Sequence, residues 1–263
     1  MNWITKLFTK KRINWEIVPL KKWIPHEKLN FQILCLNHNP QVMTILEQDI
    51  EKLEWSFLSG NPNAFHIMEE YWKYIDFVYF SSNPNPKAIS IIEKMIKHDN
   101  KTDPYYKIDR IFWNKLSANP NAVHILEQYP DRIDWISLSL NPNAIHLIEK
   151  NLKKINWEYL SKNPNAIHIL EQNPDKISWM NLSGNPNAIH LLEREPEKIS
   201  WYYLSSNPNA LHLLEREPEK IIWMMLSKNP NALHLLEKNP DKISWIYLCQ
   251  NPGIFEEENY CCK

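Results

Sequence analysis

From Asn119 onward, the apolar positions of this 263-residue chain fall into two groups that return every 22 residues. One group follows an Asn-Pro step, as Ala188, Ile189 and Leu192 follow Asn185-Pro186; the other surrounds a tryptophan, as Trp179 and Leu182. Within each group the spacings are three and four, so the residues share one face of a helix, and nothing alternates with the period of two that a half-buried strand needs. The polar residues supply the punctuation. Asn is a preferred N-cap and Pro is favoured at the first helical position, so Asn-Pro opens the first helix. A second proline, such as Pro196 or Pro218, cannot continue that helix and ends it. The second helix starts after a cap-forming residue, which is Asp134, Asn156, Ser178, Ser200 or Ser244. Each 22-residue unit therefore predicts two short helices.

Asn-Pro recurs at Asn119, Asn141, Asn163, Asn185, Asn207, Asn229 and Asn251, and at the same interval at Asn39, Asn61 and Asn83. The longer gap between Asn83 and Asn119 holds an insertion within 86–112. Strict self-similarity of this length is the mark of a solenoid. A β-solenoid is the rival reading, but each coil carries two prolines that would interrupt ladders and the chain has only 3 glycines for corners. The expectation is an all-α superhelical solenoid of about ten two-helix coils, with degenerate capping coils over residues 1–38, the repeat domain over 39–252 and an acidic C-terminal cap over 253–263. As an open stack with layers 8–10 Å apart, it would extend roughly 80–100 Å.

Composition changes this picture little. With 43% hydrophobic and 23% charged residues the chain suits a folded protein with a sizeable core. The net charge of −1 offers little to a polyanion, although seven Lys and Arg within residues 1–30, against Glu16 and Glu27, make a basic head. Cys35, Cys249, Cys261 and Cys262 have neither disulfide-framework nor zinc spacing, and no apolar run reaches the length of a signal peptide or membrane span. These features predict an intracellular, reducing, cytoplasmic setting without membrane contact.

Four stripes recur. His66, His124, His146, His168, His190, His212 and His234 hold one coil position. Copies one coil apart lie about 10 Å from each other, too far for two ligands that must each approach one zinc within about 2.1 Å. A structural ladder is expected, each ring bonded to a neighbouring backbone or cap; were the rings buried and neutral, acid would destabilise the stack. The glutamates three residues after each histidine read as a solvated charge ladder, since translation-related carboxylates lack the divergent environments of an acid–base pair. The asparagines of Asn-Pro are expected to cap their own helix and bond the neighbouring coil. Trp55, Trp113, Trp135, Trp157, Trp179, Trp201, Trp223 and Trp245 read as core rather than as stacking platforms for bases.

The segment LSGNPNAIHLLEREPEKISWYYLS resembles tandem repeats in proteins of giant nucleocytoplasmic DNA viruses, over residues 39–252. More distantly, its Leu-Ser-x-Asn-Pro step is similar to the leucine-rich repeat variant family. The first resemblance implies action in an infected cell or packaging in a virion; the second implies a stack of alternating short helices. Some leucine-rich repeat variants carry an iron–sulfur cluster on an N-terminal cysteine group, but residues 1–38 hold only Cys35, so no cofactor carries over.

Function is expected where the coils differ, in the two residues after each Trp, which are rich in Tyr and Met. The candidate partner-binding residues are Phe57, Tyr79, Tyr159, Tyr203, Met224, Met225 and Tyr247, with Tyr105 and Tyr106 of the insertion beside them. His98, Asp99 and Asp103 of that insertion read as an ordinary polar loop, and no metal site is assigned. No Gly-rich phosphate loop or nucleophile motif is present, which favours a non-enzymatic scaffold or adaptor for a protein or peptide. The alternatives are single-stranded nucleic-acid binding, which needs a basic stripe beside the aromatics, and a structural place in a viral particle. Self-association through the Tyr and Met positions is a further expectation.

Overall fold

The computed structural model describes residues 13–97 and 110–256. It is an all-α repeat solenoid of short helices packed in chain order, and the described residues hold no strand, only an isolated antiparallel bridge between Leu20 and Phe255. The sixth coil shows the plan. A helix spans Trp157–Leu160, with the Asn156 side chain accepting from Tyr159 N at 2.9 Å as its cap. The chain turns at Asn163-Pro164, a second helix spans Ile167–Gln172, and Pro174–Lys176 forms a 3₁₀ turn that leads to the next Trp. Leu160, Ala166, Ile169 and Leu170 fill the interior of the coil. A coil this small buries little alone, so its neighbours must cover it.

Asn163 makes that stacking specific. Its side chain is wholly buried, donating from Nδ2 to Ser139 O and Asn141 O of the preceding coil, both at 3.0 Å, and accepting from Asn165 N at 3.0 Å. Asn165 then donates to Pro142 O at 2.9 Å. Ser161 adds a second link: its hydroxyl donates to Trp157 O at 2.8 Å and accepts from Ser178 N of the following coil at 3.0 Å. The same pattern repeats around the molecule, and among the described residues no buried side-chain nitrogen or oxygen lacks a partner.

The ladder does not stop at the termini. Asn37 Nδ2 donates to Cys249 O and Asn251 O, both at 2.9 Å, which is the bond Asn163 makes to the coil before it. Asn39 donates to Pro252 O at 2.7 Å, and Asn30 N donates to Cys249 Sγ at 3.2 Å, as Ser178 N does to Ser161. The first coil therefore stacks on the tenth, and the solenoid closes into a ring. The tenth coil is itself made from both ends of the chain. Residues 245–254 supply its Trp helix and Asn-Pro corner; the N-terminal segment supplies the rest, with Lys21 N donating to Ile254 O at 3.0 Å and a 3₁₀ turn at His26–Lys28 in the place of Pro174–Lys176. Val18, Ile24, Ile254 and Phe255 are buried in one apolar core that runs across this seam.

Ring closure revises two expectations. The described ends do not cap an open rod of 80–100 Å; they complete each other. The repeat register also differs at the start, because the ladder residue of coil one is Asn37 and not Asn39, 24 residues before Asn61. Two extra residues follow Asn39, and again Asn85 in coil three, where each asparagine caps a second turn by accepting from Gln41 N or Lys87 N at 2.9 Å. In coil three the second helix lengthens to Pro86–Lys97, where the insertion begins.

Asn163→Ala is expected to lower the unfolding free energy by about 3 kcal/mol in denaturant titration, since two buried carbonyls and an amide lose their partner. Asn37→Ala should cost as much if the ring is closed, whereas in an open stack its loss would be nearly neutral. The thiols give a second check. Cys35 and Cys249 replace the ladder serine in the two coils that flank the seam; burial pushes the Cys35 thiol up to about 11 and raises Cys249 as well. Both should stay unmodified by iodoacetamide at pH 8 in the folded protein and react once it is denatured, read by peptide mass mapping.

Candidate partner-binding surface

Most repeated side chains are committed to joining one coil to the next. Each ladder histidine is hydrogen-bonded through Nε2 to a glutamate carboxylate of the preceding coil: His66 with Glu47 at 2.7 Å, His146 with Glu127 at 2.8 Å, His190 with Glu171 at 3.1 Å, and the others alike. The rings are about half exposed, so they are not the buried neutral groups whose charging would make the stack acid-labile; their partners are carboxylates rather than backbone. The glutamate stripe is thus half of a coil-to-coil ladder. In coil three Ser90 stands where histidine would, and Lys87 meets Glu69 at 3.5 Å instead. No cluster of three or more metal-ligating side chains occurs among the described residues.

The tryptophans are half-buried against the core rather than inside it. Several carry over the ring the cation of the 3₁₀ turn that closes their own coil: Lys198 Nζ lies 4.6 Å from the Trp179 ring, Lys220 4.9 Å from Trp201 and Lys242 4.5 Å from Trp223. Trp55 is covered by Tyr74, stacked at 5.0 Å. An indole face closed in this way is not open to a base.

The two positions after each Trp separate. The second turns toward the neighbouring coil. Met225 is 8% exposed and is core, which removes it from the surface set; Phe57, Tyr203 and Tyr247 are half-buried. Phe57 meets Tyr79 edge-on at 6.3 Å, and Tyr203 lies over Gly184, whose Cβ position would be 3.6 Å from Tyr203 Cβ. Tyr79 and Tyr159 are more open, and Tyr105 and Tyr106 lie outside the described residues. The first position points outward: Met180 is 53% exposed, Tyr202 42%, Met224 39% and Ile246 58%. Of these only Met224 belongs to the set expected from sequence. A signal was present in the sequence, since the first position is the more variable of the two, but half-burial of the second depends on coil-to-coil packing.

The outward row is uneven around the ring. Coils seven to ten present Met180, Tyr202, Met224 and Ile246 in succession; coils one, two, four and six present Gln32, Ser56, Asn114 and Glu158, with Val78 of coil three and the exposed Ile136 of coil five each standing between polar neighbours. Before the Trp, coils two, three and five carry Glu54, Asp76 and Asp134, whereas coils seven to ten carry Ser178, Ser200, Ile222 and Ser244. One arc is therefore apolar and free of carboxylates at these positions. Two lysines reach over it. Lys162 Nζ lies 5.2 Å from the Tyr203 ring and Lys228 Nζ 5.1 Å from Tyr247, and among the described residues neither forms an ion pair. No described helix is long and apolar enough to cross a membrane.

Exposed His–Glu pairs are worth little singly. A double-mutant cycle on His190→Ala and Glu171→Ala should return a coupling of about 0.5 kcal/mol; a coupling above about 2 kcal/mol would mean that this ladder, and not the asparagines, governs stacking. Comparison of the chain with family models, curated proteins and solved structures finds no match.

Proposed function

We propose that the protein is a non-enzymatic scaffold, a rigid ring that holds a protein or peptide partner on the arc formed by coils seven to ten. The observation that carries this reading is the row Met180, Tyr202, Met224 and Ile246, exposed and apolar on four consecutive coils. Contiguous apolar surface of this kind on a soluble fold marks an interaction site, and Met and Tyr are the side chains that adapt and anchor there. Most other repeated positions are engaged within the ring: the asparagines and serines by the ladder, the histidines by glutamates of the preceding coil, and Trp179, Trp201 and Trp223 among the tryptophans by cations.

Nucleic acid fits this arc less well, since its two lysines are fewer than the phosphates of a strand crossing four coils. Polymerisation end to end is also disfavoured, because a closed ring has no free terminal coil to extend.

The variant with Met180, Tyr202, Met224 and Ile246 all replaced by Ser is expected to unfold within a few degrees of the parent, since these side chains are exposed. In affinity capture from nuclease-treated lysate, read by mass spectrometry, proteins held by the parent should be lost with the variant. Identical captured sets would sink the assignment of this arc, and capture abolished by nuclease alone would replace protein with nucleic acid.

A further inference from the structure

We propose that the ring carries a second site: the cavity between coils nine and ten binds a guanidinium group, borne by a free guanidine or by an arginine side chain. This site is separate from the exposed apolar row and does not depend on what docks there.

Two ladder bonds fail together at this one place. Between every other pair of neighbouring coils an asparagine side chain donates to a carbonyl of the preceding coil, as Asn231 does to Pro208 O at 2.8 Å. Gly253 stands in that register after Pro230 and has no side chain to donate. A Cβ there would lie 2.8 Å from Leu233 Cδ1 and 3.2 Å from Pro230 O, so the corner is built around glycine. The histidine bond is missing as well. Glu256 follows Glu237 by 19 residues, the spacing at which His234 meets Glu215, and it turns to Lys21, whose Nζ lies 3.8 Å away. Glu237 has no ion pair among the described residues. Coil three also lacks the histidine, but there Lys87 meets Glu69 and Asn85 still donates to Pro62 O.

A cavity of about 440 Å³ opens at this gap, within the size range of small-molecule sites. Pro230 and Glu237 line it from coil nine and Glu256 from coil ten, while Trp23, Leu233 and Phe255 supply apolar surface. Lys22 lies exposed at its mouth and forms no ion pair with Glu237.

The lost bonds define the occupant. Each took away an N–H donor, one from an amide and one from an imidazole, and left an acceptor: the Pro230 carbonyl and the Glu237 carboxylate. A guanidinium returns five N–H groups in one plane, enough to serve both acceptors, and its flat face packs on an indole such as Trp23. An ammonium is a point charge without that face. A carboxylate or phosphate would bring acceptors to a wall that already holds two carboxylates.

Titration calorimetry on the full-length protein tests this with three probes. Agmatine is a free guanidine, Nα-acetyl-arginine amide stands for a side chain, and Nα-acetyl-citrulline amide keeps that shape without the charge. At least one guanidine should bind saturably with a Kd of about 1 mM or tighter, and the citrulline compound about tenfold more weakly; the tighter guanidine identifies the source. Glu237→Gln should weaken binding about tenfold. Glu256→His rebuilds the missing bond and should abolish binding without lowering the melting temperature, because the new ring takes the Glu237 carboxylate. Both positions are exposed, so both variants should fold as the parent does. No saturable binding of either guanidine below about 10 mM, equal binding of the citrulline compound, or binding that neither substitution changes would overturn the site.

Discussion

A buried carboxamide governs this fold. Asparagine carries two N–H donors and an acceptor on a stem short enough to act within its own turn. At Asn163 both donors reach carbonyls of the preceding coil, while the oxygen holds the amide two residues on. The group thus fixes the local turn and the distance to the next coil together. Aspartate would bring a charge and no donors, and glutamine would add a rotatable bond at the point where position is set. Because an unmet buried carbonyl costs more than a met one contributes, each asparagine acts mainly by excluding other registers.

The same geometry repeated ten times closes the stack, and closure changes the energetics of a solenoid. An open array has one interface fewer than it has coils, and its end coils fray. Here the end coils meet. Joining the ends of a flexible chain of this length would cost about 5 kcal/mol in loop entropy. Against that stand the seam hydrogen bonds from Asn37, Asn39, Asn30 and Lys21, each worth about 1 kcal/mol net, and the burial of Val18, Ile24, Ile254 and Phe255 at about 1.5–3 kcal/mol each. The seam terms exceed the closure cost. The tenth coil, drawn from both ends of the chain, ties residues 18–30 to residues 245–256 and leaves no unpaired coil face at either end.

The repeat architecture was legible because its determinants are local. The Asn-Pro cap, the terminating proline and the three-and-four spacing of Ala188, Ile189 and Leu192 each act within one coil, and the stacking role of the asparagines followed from their chemistry. The ring was not legible. Whether coil one meets coil ten depends on the small rotation each coil adds to the next, and that angle is summed from packing rather than written at any residue. The runs KRINWEIVP and KLNFQIL echo the repeat closely enough to read as degenerate caps, and only the completed stack shows that the 3₁₀ turn at His26–Lys28 finishes the coil begun at Trp245. The histidine ladder was legible but its partner was not: residue type and period cannot tell a ring bonded to backbone from one lying half-exposed against a carboxylate of the neighbouring coil, as His190 lies beside Glu171. In the binding row, the two residues after each Trp were recognised as variable, but which of them faces outward is set by the roll of a four-residue helix against its neighbour. That roll buries Met225 and exposes Met224.

Repetition and its failures carry different information in such a molecule. A position that must serve the coil-to-coil bond cannot vary without breaking the ladder, so Asn, Ser and Leu recur. The position after Trp touches neither neighbour strongly and is free to be Ile136, Glu158, Met180, Tyr202, Met224 or Ile246. Freedom alone would scatter polar residues over an exposed row, because apolar side chains gain nothing there from folding. Instead apolar residues occupy this position on four adjacent coils, and the acids that precede Trp elsewhere are replaced over the same coils. Folding requires neither departure, and both fall on one side of a closed ring. On the reading proposed for this arc, the exposed row and the missing acids have one common cause.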